Sequence, residues 1–360
     1  MSYGKRLNDS GAASGSFHVE NRRDPRRIVR DPYDLTTPCK RCIYIYRDDV
    51  PQWGGIIWTR RYDSRTRTVQ LGLGDWWTYY DHRKILPLLP ANPAVRYTVA
   101  EMVARFGHPA PIDQNAIARG LLALAHQHPG GNLGVVADTV DSLITRERTY
   151  RGYELGDVGE ALRQLAGVRN GPDLLFDVDR QLGADGRPVR RLRLGDPGLG
   201  QQGSAWVFEY GGNVVDYTWP SDGTRYASRV LAAGEGTVEG TPIAVAENVD
   251  GYPTGWPLVE TERGYSTVSD PGVLQAHADA DLQAARRPVV LPQLEVRGER
   301  WPMVGEWNVG DDARVVIEDD WLPDGVDTLA RIVAADITPP EGDADEKVVL
   351  TMSPLLDDIA

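Results

Sequence analysis

Short runs in which every second residue is apolar recur along the chain and predict strands. Cys39–Tyr46 (CKRCIYIY), Gln52–Tyr62 (QWGGIIWTRRY) and Thr68–Gly74 (TVQLGLG) are rich in β-branched and aromatic residues. Polar turns at Asp48-Asp49 and Asp63–Arg67 separate them, and the Gly54-Gly55 pair allows a bulge. They read as a meander of the kind that builds small barrels or sandwiches. The period then lengthens. Thr98 with Glu101 forms a capping box, and Val99, Met102, Val103 and Phe106 follow at helical spacing. A second helix is predicted from Asp113, with Ile117, Leu121, Leu122 and Leu124 apolar, stopping at His128-Pro129-Gly130. A third covers Asp157–Gly167, with Val158, Leu162 and Leu165 on one face.

Strands are predicted again at Asp173–Asp179 and Pro188–Leu194, joined by the turn Gly183-Ala184-Asp185-Gly186. Trp206–Tyr210, Val214–Trp219 and Thr224–Ala233 follow. An Ala-rich helix, Pro271–Arg286, is capped by Asp270. The last residues return to strands at Pro288–Val296, Asp312–Ile317, Asp327–Asp336 and Glu346–Met352, with turns at Gly310-Asp311 and Pro323-Asp324-Gly325. The expected fold is α+β and β-rich, with two small β-barrel-like modules and helical insertions. The expected organisation is a polar basic arm over 1–37, part of a first barrel module over 38–95 and a helical connector over 96–170. A β-rich region over 171–270 completes the first module. A linker helix over 271–287 leads to an acidic barrel module over 288–360.

Composition narrows the function. A chain of 360 residues is long enough for two or three domains and a sizeable core. Its 52 acids against 39 Lys and Arg leave a net charge of −13, which argues against a general nucleic-acid binder. That charge is uneven: residues 1–30 carry seven Lys/Arg and three acids, residues 291–360 five and seventeen. The first thirty residues are nearly free of apolar side chains and read as an arm, disordered alone or laid on a partner. No apolar run reaches the roughly 18 residues of a membrane span. The N-terminus lacks the apolar core of a secretory signal. Two cysteines cannot make a disulfide scaffold.

Each candidate for chemistry has a plainer reading. Cys39-Lys40-Arg41-Cys42 is a C-x-x-C, but it runs into a strand rather than opening a helix, and a zinc site needs a second pair that the chain lacks. Gly198-Leu199-Gly200-Gln201-Gln202-Gly203 matches G-x-G-x-x-G, yet the residues after it are strand-like, so a loop of turn glycines is expected. His126 and His128 sit at a helix end, where histidine complements the dipole and ligands two apart diverge. Asp311-Asp312 and Glu318-Asp319-Asp320 are carboxylate pairs of the kind a glycosidase uses, or solvated turns on an acidic face. Ten Trp and fifteen Tyr against four Phe favour surfaces with one wet edge, with at least half of them expected in the core. No catalytic, cofactor-binding or metal-binding residue is expected, and no cofactor.

The order of motifs resembles the siphophage (actinophage-type) minor tail proteins, the tail hub and baseplate hub family. The residues that carry it are Trp53-Gly-Gly-Ile-Ile57, Tyr62–Leu71 (YDSRTRTVQL), Gly74–Ile85 (GDWWTYYDHRKI), Arg148–Leu165, Gly212–Tyr226 and Trp256–Ser269, followed by the Ala-rich helix and Trp307–Asp311. The resemblance spans nearly everything from residue 38. It implies a non-enzymatic homotrimeric ring at the virion tail tip that joins the sixfold tube to the distal tip proteins, with phage DNA passing through without specific binding. The implied partners are the distal tail protein, the C-terminus of the tape-measure protein and other minor tail, tip or fibre proteins. Two other classes stand beside it. One is a cell-wall carbohydrate-binding module or hydrolase using exposed Trp, Tyr and paired acids. The other is a redox or metal protein built on Cys39 and Cys42.

Overall fold

The computed structural model describes all residues except 22–27, 89–101, 169, 196–197, 204–205, 237–239, 266–270, 288, 341–344 and 355–360. Two units follow, one formed by 1–217 with 293–360 and the other by 218–292.

The polar N-terminus is not a free arm. Small residues let two strands approach closely there: β1 (Ser2–Arg6) and β2 (Ala12–His18) form a hairpin, with Tyr3 opposite Ala13. Apolar patterning missed them because their side chains are short, while the ladder hydrogen bonds depend only on backbone. The next strands match the meander: β3 (Cys42–Arg47), β4 (Val50–Asp63) and β5 (Thr68–Asp75) pair in sequence, and β2 pairs with β5. Gly55 faces the carbonyl of Gly74, leaving no room for a Cβ. A one-turn helix, α1 (Trp76–Tyr80), follows directly.

The helix expected at 98–106 is corrected. Thr98, Val99 and Glu101 lie outside the described residues, and Val103–Phe106 is a strand, β6, pairing antiparallel with Arg148–Arg151. Four residues carrying Val and Phe fit either period, and the cross-strand partner decided. Helix α2 (Gln114–His126) is as expected, with the Asp113 carboxylate accepting from the backbone N–H of Asn115 at 2.8 Å and of Ala116 at 3.4 Å. Strand β7 (Val135–Ala137) follows, and with β8 (Arg148–Arg151) it interrupts the expected helical connector over 96–170. Then come α3 (Val158–Ala166), β9 (Leu174–Leu182) and β10 (Pro188–Leu194). Helices α1, α2 and α3 bury Trp76, Trp77, Tyr80, Leu121 and Leu162 against β9 and β10 in one apolar core.

Strands β11 (Trp206–Glu209) and β12 (Val214–Thr218) lead to the second unit. That unit has β13 (Arg229–Ala233) flanked by antiparallel β14 (Ile243–Glu247) and parallel β15 (Glu260–Gly264), with α4 (Pro271–Ala285) packed on one face. Asp270, the expected cap of α4, lies outside the described residues. The helix thus covers a sheet rather than only linking modules. The core beneath it is thin: Ala232, Ala244, Ala246, Ala278 and Leu274. Alanine removes little apolar area from water, so Leu274, 1% exposed, carries much of the burial. Leu274→Ala is expected to destabilise this unit by about 2–4 kcal/mol. Calorimetry should then show a separate, lower transition, with hydrogen exchange accelerated over 229–285 and unchanged in α2.

The chain ends with β16 (Gln293–Arg297), β17 (Asp312–Ile317), β18 (Val326–Thr338) and β19 (Lys347–Pro354). These complete an eleven-stranded sheet in the order β12-β16-β19-β18-β1-β2-β5-β4-β3, with β17 also on β18 and β11 on β17. The fold is mostly β with few helices, as expected, but its two β regions share one sheet through β1 and are not closed into barrels. An isolated bridge, Tyr210 to Val214, spans from the end of β11 to β12.

Candidate assembly surface

The glycine-rich loop holds anions, but they are the protein's own. The N–H of Leu199 donates to Asp173 at 2.9 Å, that of Gln201 to Asp311 at 2.8 Å and that of Gly203 to Asp312 at 2.9 Å. Asp311 also accepts from the Trp206 indole at 3.0 Å and the Asn308 N–H at 2.8 Å, while Arg331 pairs with Asp173 at 2.6 Å. Gly200 lies against the backbone of Gly310 at φ +81°, where a side chain has no space. The donors that would cradle a pyrophosphate are therefore filled, and the loop pins β9 to β17.

The other carboxylate group is also a turn-former. Asp319 accepts the N–H of Trp321 and of Leu322, each at 2.9 Å, and the Tyr217 hydroxyl at 2.5 Å. The Tyr217 hydrogen bond, foremost, holds its carboxyl below the usual range. Glu318 and Asp320 are exposed.

Of the two cysteines, only Cys42 lies in a strand. Cys39 is in a turn at φ +62°, a correction to the strand expected from residue 39. Burial pushes the Cys42 thiol pKa up, which makes it a poor nucleophile. The histidines separate: His126 Nε2 meets the Tyr80 hydroxyl at 2.8 Å, and His128 Nε2 lies 3.1 Å from the Leu86 carbonyl. Among the described residues no group of three or more His, Cys, Asp or Glu is placed to hold a metal.

A cleft of about 550 Å³ opens beside β1, lined by Tyr3, Lys5, Asp177, Asp179, Arg191 and Arg193 among others. These five charges are engaged with one another. Lys5 pairs with Asp177 at 3.0 Å, and Asp179 is gripped by Arg191 and by Arg193 at 2.6 Å. Burial pushes the Asp179 carboxyl up, but the two guanidinium groups outweigh it and hold it below the usual range.

Asp75 ends β5 and caps α1. Its carboxylate accepts from Gly11 at 2.6 Å and Trp77 at 3.0 Å, tying the β1–β2 turn to the helix. Complete burial nonetheless pushes its pKa to about 8, against the pull of the backbone N–H groups of Gly11, Trp77 and Thr78. The raised value means that between about pH 4 and pH 8 the folded chain keeps a proton the unfolded chain has released. Stability is therefore fully present below about pH 4 and falls as pH rises to about 8. Melting temperatures of the wild type and Asp75→Asn, followed from pH 4 to 9, should diverge over that window. Parallel curves would rule the titration out.

Outward, the fold presents an open sheet edge and exposed aromatic side chains. The sheet ends at β3, an edge strand of sequence CIYIYR on which Tyr46 is 49% exposed. Of the tryptophans, Trp53, Trp76, Trp77 and Trp307 are buried, whereas Trp256, Trp301 and Trp321 are 41%, 55% and 71% exposed. The sequence did not single out Trp321 from the rest. Its signal was the flanking acids, which mark a hairpin tip.

No protein-family model matches the chain, and no curated protein matches it in sequence. Solved structures do. The 43 kDa tail protein of prophage MuSo2 from Shewanella oneidensis superposes with a TM-score of 0.62 at 14% identity, over 100% of this chain and 95% of that one. A tail protein from Neisseria meningitidis gives 0.57 at 15% identity, over 98% and 91%. The prophage tail protein gp18 from Listeria monocytogenes gives 0.52 at 11% identity, over 97% and 87%. The chain has the fold of these phage tail proteins along its whole length.

Proposed function

We propose that the chain is a structural component of a bacteriophage tail, acting at the tail tip as a homotrimeric hub ring of the siphophage type. The observation that carries this reading is the end-to-end match with phage tail proteins, which leaves less than a tenth of the MuSo2 and Neisseria proteins uncovered. An open sheet supports it too. The apolar edge of β3 is a pairing template that a soluble monomer would have to blunt, and that a ring covers with its neighbour. The ring joins the tube to the distal tail protein and other tip proteins, holds the end of the tape measure and lines the channel. A net charge of −13 would ease DNA through that channel without binding it. The role is mechanical: the acids Asp311, Asp312 and Asp319 are engaged in shaping turns. Quantitative mass spectrometry of purified tails tests the reading. Three copies per tail are expected; six or more, as for a tube or sheath protein, would overturn it.

A further inference from the structure

The two ends of the large sheet carry opposite charge. At one end the β4–β5 turn exposes Arg61, Arg65 and Arg67 around Tyr62. The Asp63 carboxylate shapes this turn, accepting the N–H of Arg65 at 2.8 Å and of Thr66 at 3.2 Å. Arg60 is engaged: it donates to the Tyr33 carbonyl and lies over the Tyr33 ring at 4.3 Å. The guanidinium groups of Arg61, Arg65 and Arg67 have no ion-pair partner among the described residues.

At the other end the β17–β18 turn is an aromatic platform set in negative charge. Asp319 organises the turn that holds Trp321 out at 71% exposure. The Tyr217 hydroxyl fixes Asp319 from β12, and Tyr210 meets Tyr217 edge-on with ring centres 5.1 Å apart. Glu318, Asp320 and Asp324 on the turn are exposed and have no ion-pair partner among the described residues. The nearby cation Arg314 is taken by Asp327 at 2.5 Å. An exposed indole ringed by carboxylates suits a guanidinium, which stacks on the ring while the acids neutralise it.

The strand register keeps the two turns apart within one chain. Ile337 of β18, Tyr3 of β1, Ala13 of β2 and Leu73 of β5 lie in one row across the sheet. All three pairings are antiparallel, so β18 and β5 run in opposite directions. Val326, where β18 leaves the Trp321 turn, is eleven residues to one side of that row. Thr68, where β5 leaves the arginine turn, is five residues to the other. At about 3.3 Å per residue the turns are roughly 45–50 Å apart, sheet twist included, far beyond the reach of an arginine.

We propose that the arginine turn of one copy docks on the Trp321 corner of the next. Three unpaired guanidinium groups then meet three unpaired carboxylates and an open indole, a match of charge and of chemistry. Two different patches joined head to tail generate a closed ring, or a filament if the rotation does not close. This deepens the hub reading and rests on it for the number of copies.

Charge exchange on the full chain tests it. Arg61, Arg65 and Arg67 are changed to Glu in one variant, Glu318, Asp320 and Asp324 to Lys in a second, and both sets are combined in a third. Sedimentation velocity should show self-association weakened about tenfold or more in the first two and restored in large part in the third. Trp321→Ala should weaken it comparably, and the wild-type species should loosen between about 0.05 and 0.5 M salt. A trimer that persists unchanged in either single-sided variant, or a third variant as weak as the first two, overturns the contact and leaves the ring standing. A wild type that forms dimers or filaments, weakened and rescued as expected, upholds the contact and counts against the three-copy ring. A wild type that stays monomeric up to about 100 µM overturns both.

Discussion

Asp311→Ala is expected to cost about 4 kcal/mol and to free the 198–203 loop. The carboxylate is 3% exposed and is the acceptor for three donors: the N–H groups of Gln201 and Asn308 and the Trp206 indole. Each buried donor left without a partner costs about 1–3 kcal/mol, and the methyl group cannot replace any of them. Asp311→Asn keeps one acceptor but turns an amide toward donors, so about half the loss is expected. Urea denaturation followed by the fluorescence of Trp206, with hydrogen exchange at 199–203, checks both. A loss under about 1 kcal/mol would mean that water replaces the carboxylate and that the loop is held elsewhere.

Trp77→Ala is expected to cost about 3–5 kcal/mol, among the largest losses available from one side chain. The indole is wholly buried. It meets Phe176 edge-on at 5.4 Å, lies under Arg163 at 5.3 Å and donates to the Gly159 carbonyl at 3.3 Å. Removing it takes the floor from Arg163, which also grips Asp81 and Asp9, each at 2.7 Å, and so holds the β1–β2 turn. Trp77→Phe should lose less, because the apolar contact with β9 survives. Chemical denaturation of the larger unit measures both. Equal losses from Phe and Ala would place the energy in the indole N–H rather than in packing.

The long periodic segments were legible in the sequence. The meander of β3, β4 and β5, the Asp113 cap of α2 and the face of α3 all stand where apolar spacing put them. β1 and β2 were not, because Gly, Ala and Ser carry no alternating pattern and their order comes from pairing with β18 and β5, distant in sequence. The same non-local pairing merges the two expected modules into one sheet. The glycine motif reads as a loop of turn glycines, and the carboxylates its N–H groups meet, Asp173, Asp311 and Asp312, are 25 or more residues away and carry no local signal. Trp321 was one of many tryptophans until the Asp319 turn showed which way it faces.

Assembly of identical copies is the central claim, and the mass of the purified chain tests it most directly. Light scattering with negative-stain images of the same sample is expected to find a species near 119 kDa, three times the 39.7 kDa chain, as a threefold ring. A 39.7 kDa monomer at every concentration up to about 100 µM would contradict it.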